Sequence, residues 1–150
     1  MTMSKVDDSK FLFGTSCVPY TLATDWPEEE WDNDYKTIKE LNFNAVRIFA
    51  AWERIEVSDG VYDFHKIDYA MELAEKHGLD IIIQFGGMFR NYCGHAVPQW
   101  WTESICPDYK PYRTKVDAFM AEVVKRYAAH PSLLGWMIWN EPEADTCKCE

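Results

Sequence analysis

The sequence predicts an α/β protein: the first half of a (β/α)8 barrel, with strands and helices in the order β-α-β-α-β-α-β. Three observations carry that expectation. Apolar runs of strand length alternate with segments whose apolar residues recur at helical spacing, and such alternation implies a parallel sheet under helical crossovers. The first strand is followed by Val18-Pro19-Tyr20, not by the glycine-rich fingerprint of a dinucleotide-binding open sheet. Arg47, Trp52, Trp100 and Glu141 all fall at or just past the ends of predicted strands. In barrel enzymes that C-terminal face holds the active site.

Each element has its own signal. Phe11 to Cys17 is an apolar run that ends in a turn and reads as the first strand. Pro27 suits a first helical position, and Glu28, Glu29 and Glu30 suit the positive end of a helix dipole. Trp31, Tyr35, Ile38 and Leu41 then recur at helical spacing. Asn44 to Phe49 reads as the second strand, and Asp59-Gly60 marks a turn. Ile67, Ala70, Met71 and Ala74 form the apolar stripe of a second helix, stopped by Gly78. Leu79 to Phe85 is continuously apolar enough for a strand buried on both faces. Residues 86–111 form a long loop rich in glycine, proline and tryptophan. Val116, Phe119, Met120, Val123, Val124 and Tyr127 mark a third helix ending before Pro131, and Leu133 to Trp139 is the fourth strand.

Composition narrows the function. The 150 residues are 47% apolar and 27% charged, which supports a packed core and excludes wholesale disorder. Aromatics reach 15%, with seven tryptophans, a surplus that suits stacking against flat partners. A net charge of −10 disfavours nucleic acid and anionic membranes, which need a basic face. No apolar run approaches the roughly 18 residues of a membrane span. Met1 to Lys10 is polar and lacks the apolar core of a signal peptide, so a cytoplasmic location is expected. Five cysteines, an odd number without an export signal, argue against a disulfide framework.

The expected organisation is a polar tail over 1–10 and a half barrel over 11–150. A complete barrel needs about 250 residues. The sequence stops after strand four, which predicts a piece of a longer protein. The alternative is a half barrel that dimerises to cover its open edges.

Trp139-Asn140-Glu141-Pro142, at the end of the fourth strand, is the strongest chemical signal. A glutamate in a tryptophan-lined site has its proton affinity raised, as a general acid requires. The neighbouring Asn140 offers a sugar hydroxyl both a donor and an acceptor. Trp52 and Trp100 are candidate stacking platforms for a pyranose ring.

That motif resembles the strand-four motif of retaining glycoside hydrolases built on (β/α)8 barrels. Trp26-Pro27-Glu28 with Trp31, Asn44-Ala45-Val46-Arg47-Ile48 with Ala51-Trp52, and Gly60-Val61-Tyr62-Asp63-Phe64 are similar to the opening of family 42, the β-galactosidase family. Pro98-Gln99-Trp100 is similar to its segment after strand three. The resemblance implies Glu141 as general acid/base, Asn140 on the substrate 2-hydroxyl and Arg47 ordering the sugar subsite. It places the nucleophilic carboxylate on strand seven, outside this chain, so the 150 residues are expected to be inactive by themselves. Thr102 stands where the family has an arginine tied to galactose binding, and Pro142 where it tends to have tyrosine.

The same resemblance implies a structural zinc. Cys147-Lys148-Cys149 follows the catalytic motif and Cys106 lies in the preceding strand-to-helix loop. The fourth ligand would fall just past Glu150. An all-sulfur set leaves no open position for water, so such a zinc would be structural. No organic cofactor is expected, and family members are often trimers. Two other functions stay open on the sequence: an endo-acting cellulase- or mannanase-like hydrolase, and a non-catalytic carbohydrate-binding half barrel.

Overall fold

The computed structural model describes residues 10–17, 25–85 and 97–138. Its elements are β1 (Gly14–Ser16), α1 (Glu28–Glu40), β2 (Ala45–Ala50), α2 (Trp52–Ile55), β3 (Glu56–Ser58), β4 (Val61–Tyr62), α3 (His65–His77), β5 (Asp80–Phe85), α4 (Lys110–Tyr127) and β6 (Leu133–Met137). The main sheet has the order β1-β2-β5-β6, and every pairing in it is parallel. Each strand therefore lies beside the next one in the chain. A doubly wound sheet reverses its strand order part-way, whereas a barrel never does. The fold is the opening half of a (β/α)8 barrel, as the loop chemistry implied.

Strand alternation sorts the sheet into two faces. Val46, Ile48 and Ala50 of β2 and Ile81, Ile83 and Phe85 of β5 join the main hydrophobic core. Against them pack Trp31 and Tyr35 of α1, Ile67 and Met71 of α3, and Tyr112, Phe119 and Val123 of α4. All of these are at most 1% exposed. Each fully buried valine, isoleucine, phenylalanine or methionine among them contributes about 1.5–3 kcal/mol. The intervening residues Arg47, Phe49, Ile82 and Gln84 lie on the opposite face, the interior of the barrel.

The helices are tied together at their solvent edges. Asp68 of α3 accepts from Arg126 Nε at 2.8 Å and from the Tyr127 hydroxyl at 2.7 Å, both on α4. Asp32 of α1 accepts from Lys76 Nζ at 2.7 Å and lies 2.7 Å from His77 Nε2, both on α3.

Most of the element boundaries follow the local signals. Gly78 caps α3 with φ 62°, a left-handed conformation that glycine adopts without steric cost. The stripe Ile67, Ala70, Met71 and Ala74 is buried as its spacing required. Some details differ. Pro27 is the cap preceding α1 and not its first residue, because its ψ of 129° is extended. Leu41 sits beyond the end of α1 and is 61% exposed. α4, by contrast, ends at Tyr127, before Pro131, as expected. The Asp59-Gly60 turn joins an antiparallel hairpin, β3 with β4, which the sequence reading had not resolved into strands. β1 covers only the last part of the apolar run, and Phe11 before it is 81% exposed.

Candidate active site

Arg47 lies on the inner face of β2. The strand continues through Phe49 and Ala50, which pair with Gln84 and Phe85. Arg47 is therefore mid-strand and not at the strand end where the sequence reading put it. Its long side chain makes up the difference. Nε donates to Ser16 Oγ, at the end of β1, at 3.0 Å. Nη1 donates to Met137 Sδ, at the end of β6, at 3.6 Å. The guanidinium carbon sits 5.6 Å from the centre of the Phe49 ring. One arginine thus spans from β1 to β6 across the floor of the barrel mouth. Met137 precedes Glu141 by four residues.

Gln84 shares that inner face, opposite Phe49 in the β2–β5 register and opposite Met137 in the β5–β6 register. It is 0% exposed, and neither amide atom has a hydrogen-bond partner among the described residues. An unpaired buried amide costs roughly 1–3 kcal/mol, so such a group invites a ligand hydroxyl. The sequence reading passed over Gln84. Its signal was a polar residue near the end of the segment Leu79 to Phe85, directly after the apolar triplet Ile81-Ile82-Ile83.

The two tryptophans expected to stack on sugar are placed differently. Trp52 is 0% exposed and packs 5.8 Å from Tyr112 and 5.6 Å from Phe119, ring centre to ring centre. It has no face to offer a substrate; the start of α2 turns it away from the mouth and into the core beneath α4. Its indole Nε1 donates to Glu56 Oε2 at 2.5 Å. Glu56 is itself only 2% exposed, and its Oε1 accepts the Gly60 N–H at 2.8 Å. Both of its oxygens are engaged in holding the hairpin, so Glu56 is a structural carboxylate and no substitute for a nucleophile. Trp100 is half-buried against this hairpin, where its Nε1 donates to the Glu56 carbonyl at 2.8 Å.

Glu141, Asn140, Cys147 and Cys149 lie outside the described residues. Cys106 is half-buried on the segment leading into α4. No group of three or more histidine, cysteine or acidic side chains is placed to hold a metal among the described residues. Among those residues, too, no helix is long and apolar enough to cross a membrane.

The family model for glycoside hydrolase family 42, described as beta-galactosidase, matches residues 22–105 and 102–150, nearly the whole chain. The chain belongs to family 42. Relatives of this family 42 chain include beta-galactosidase BgaB of Geobacillus sp., 26% identical over 83% of the chain and 21% of that protein. Beta-galactosidase BgaH of Haloferax lucentense is 28% identical over 83% of the chain and 22% of its own length. The chain thus spans about a fifth of the length of the curated relatives it matches. Among solved structures, a polyextremophilic beta-galactosidase from Halorubrum lacusprofundi aligns with a TM-score of 0.67 at 23% identity, over 84% of this chain and 20% of that one. A GH5_18 protein from Streptomyces cattleya aligns with a TM-score of 0.68 at 17% identity, over 93% of this chain and 36% of that one. These two likenesses establish the shared fold.

Proposed function

We propose that the whole protein hydrolyses β-galactosides with retention, using Glu141 as general acid/base. The observation that supports this most directly is the Arg47 guanidinium resting against Met137, four residues ahead of Glu141, on the inner face of a family 42 sheet. Glu141 protonates the departing glycosidic oxygen while a second carboxylate, outside this chain, attacks the anomeric carbon. The glutamate then removes a proton from the incoming water. Retention requires the two carboxyl groups about 5–5.5 Å apart. Asn140 holds the 2-hydroxyl, Arg47 fixes the floor of the subsite, and Gln84 supplies a further donor–acceptor pair beside it. Trp52 takes no part in binding.

The test is Glu141→Gln in the full-length protein, assayed on 4-nitrophenyl β-galactoside and β-glucoside. The expected loss in kcat is about 10²–10⁴-fold, the contribution of a general acid/base. Unchanged hydrolysis removes Glu141 from the mechanism, and a preference for the glucoside removes the galactoside assignment.

A structural zinc held by Cys106, Cys147 and Cys149 belongs to the same proposal. Three thiolates suit tetrahedral zinc, and a fourth sulfur from beyond this chain would close the site. Zinc bound there would tie the segment before α4 to the segment after β6. Metal analysis of the reduced protein tests it: about one zinc per chain is expected, lost in Cys106→Ser. A metal-free protein refutes it.

A further inference from the structure

We propose that the outer rim of the barrel carries a binding site for a neutral oligosaccharide, built where the β3–β4 hairpin meets the start of α4. A cavity of about 630 Å³ opens there between Asp59 of the hairpin turn, Trp100 and Trp101, and Lys110 and Lys115 of α4. That volume lies within the roughly 300–1,000 Å³ of small-ligand sites. Among the described residues none of its lining comes from the main sheet, so it shares none of them with the inner face that bears Arg47 and Gln84.

The walls are fixed before any ligand arrives. Trp100 is held by its hydrogen bond to the Glu56 carbonyl, and Lys115 pairs with Asp59 while lying 5.8 Å from the Trp100 ring centre. Trp101 donates its Nε1–H to the Ser104 carbonyl at 3.3 Å and packs 5.6 Å from the wholly buried Tyr112 ring. The two indoles meet at an interplanar angle of 80°. With both N–H groups already committed to backbone carbonyls, the rings offer apolar surface and not hydrogen bonds.

Chemistry selects the ligand. Two carboxylates, Asp59 and Glu103, and two ammonium groups, Lys110 and Lys115, line the same cavity, so their charges cancel. A strongly anionic or cationic ligand gains nothing there. Acceptors and donors interleaved around an indole corner suit a molecule with hydroxyls on its edge and C–H groups on its face, which describes a pyranose. The proposal does not depend on Glu141, since binding and not turnover is read.

The test uses full-length protein labelled with 5-fluorotryptophan, with Glu141→Gln introduced so that the probe survives. Galactotetraose, cellotetraose and mannotetraose, each β-1,4-linked, are titrated separately while the Trp101 fluorine signal is followed. At least one is expected to shift that signal saturably. Lys110→Met, a change at an exposed helix start, leaves the signal available and is expected to weaken binding about tenfold, as loss of one such contact implies. Trp101→Ala, followed calorimetrically, is expected to weaken it by at least as much. No shift with any of the three sugars overturns the proposal, and so does undiminished affinity in Lys110→Met. If hydrolysis by the wild type proves independent of Glu141 but the rim titration behaves as expected, the catalytic assignment fails and the rim site stands.

Discussion

Replacing Glu56 by alanine is expected to destabilise the protein by about 2 kcal/mol. The carboxylate is 2% exposed and accepts from two donors of unequal need. Gly60 lies in an exposed turn, so its N–H turns to water when the carboxylate goes. The Trp52 indole is 0% exposed and has no such recourse. Its orphaned N–H costs roughly 1–3 kcal/mol. Removal of one buried methylene adds about 0.8 kcal/mol. Relief from burying a charge offsets part of the sum. Glu56→Gln keeps the volume and leaves an amide oxygen for the indole, losing only the turn contact, so about 1 kcal/mol is expected. Urea denaturation followed by fluorescence reads both values as a shift in midpoint at constant slope. The decisive comparison is with Trp52→Phe. In that background no N–H is left to orphan, and the cost of Glu56→Ala should fall by about 1–2 kcal/mol. An equal cost in both backgrounds, or a wild-type cost below about 0.5 kcal/mol, refutes the reasoning.

Other outcomes follow from the same structure. Gln84→Met removes two buried polar atoms that are unpaired among the described residues, at similar volume, so stability should hold or rise by about 1 kcal/mol while KM for the aryl galactoside rises; a clear loss of stability in a thermal melt refutes the view of Gln84 as unpartnered. Burial pushes the Asp68 carboxyl up, but the hydrogen bonds from Arg126 and Tyr127 and the Arg126 charge outweigh it, and the net shift is downward. Its stabilisation is therefore present above the unfolded value of about 3.9 and lost as pH falls through the lower folded value. Asp68→Asn should lower Tm at pH 7 and flatten the acid limb of the Tm profile, and an unchanged limb counts against this pair. Burial, with a smaller push from Asp34, raises the Cys17 thiol to about 12. Cys17 should resist iodoacetamide at neutral pH until the protein is unfolded, as mass spectrometry of the labelled chain would show.

Local signals determined the order of the elements, the stop of α3 at Gly78 and the stripe that α3 buries, because these depend on residues within one or two turns of each other. The choice of a barrel over an open sheet was also legible, through the absence of a phosphate-binding loop after the first strand. So was the family resemblance. The fates of the tryptophans and glutamates after β2 and β5 were not. Trp52 and Trp100 are both aromatics in a segment that follows a strand, Trp52 two residues after Ala50 and Trp100 fifteen after Phe85. One is wholly buried because the start of α2 aims it at Phe119 and Tyr112, which lie about sixty residues further along the chain. The other is half-buried against the β3–β4 hairpin, its indole N–H held by the Glu56 carbonyl. Glu56 looked like any loop carboxylate until the Trp52 indole closed over it. Periodicity tells which residues share a face, but whether that face meets core, barrel interior or solvent is decided by segments distant in sequence, and only tertiary packing brings them together.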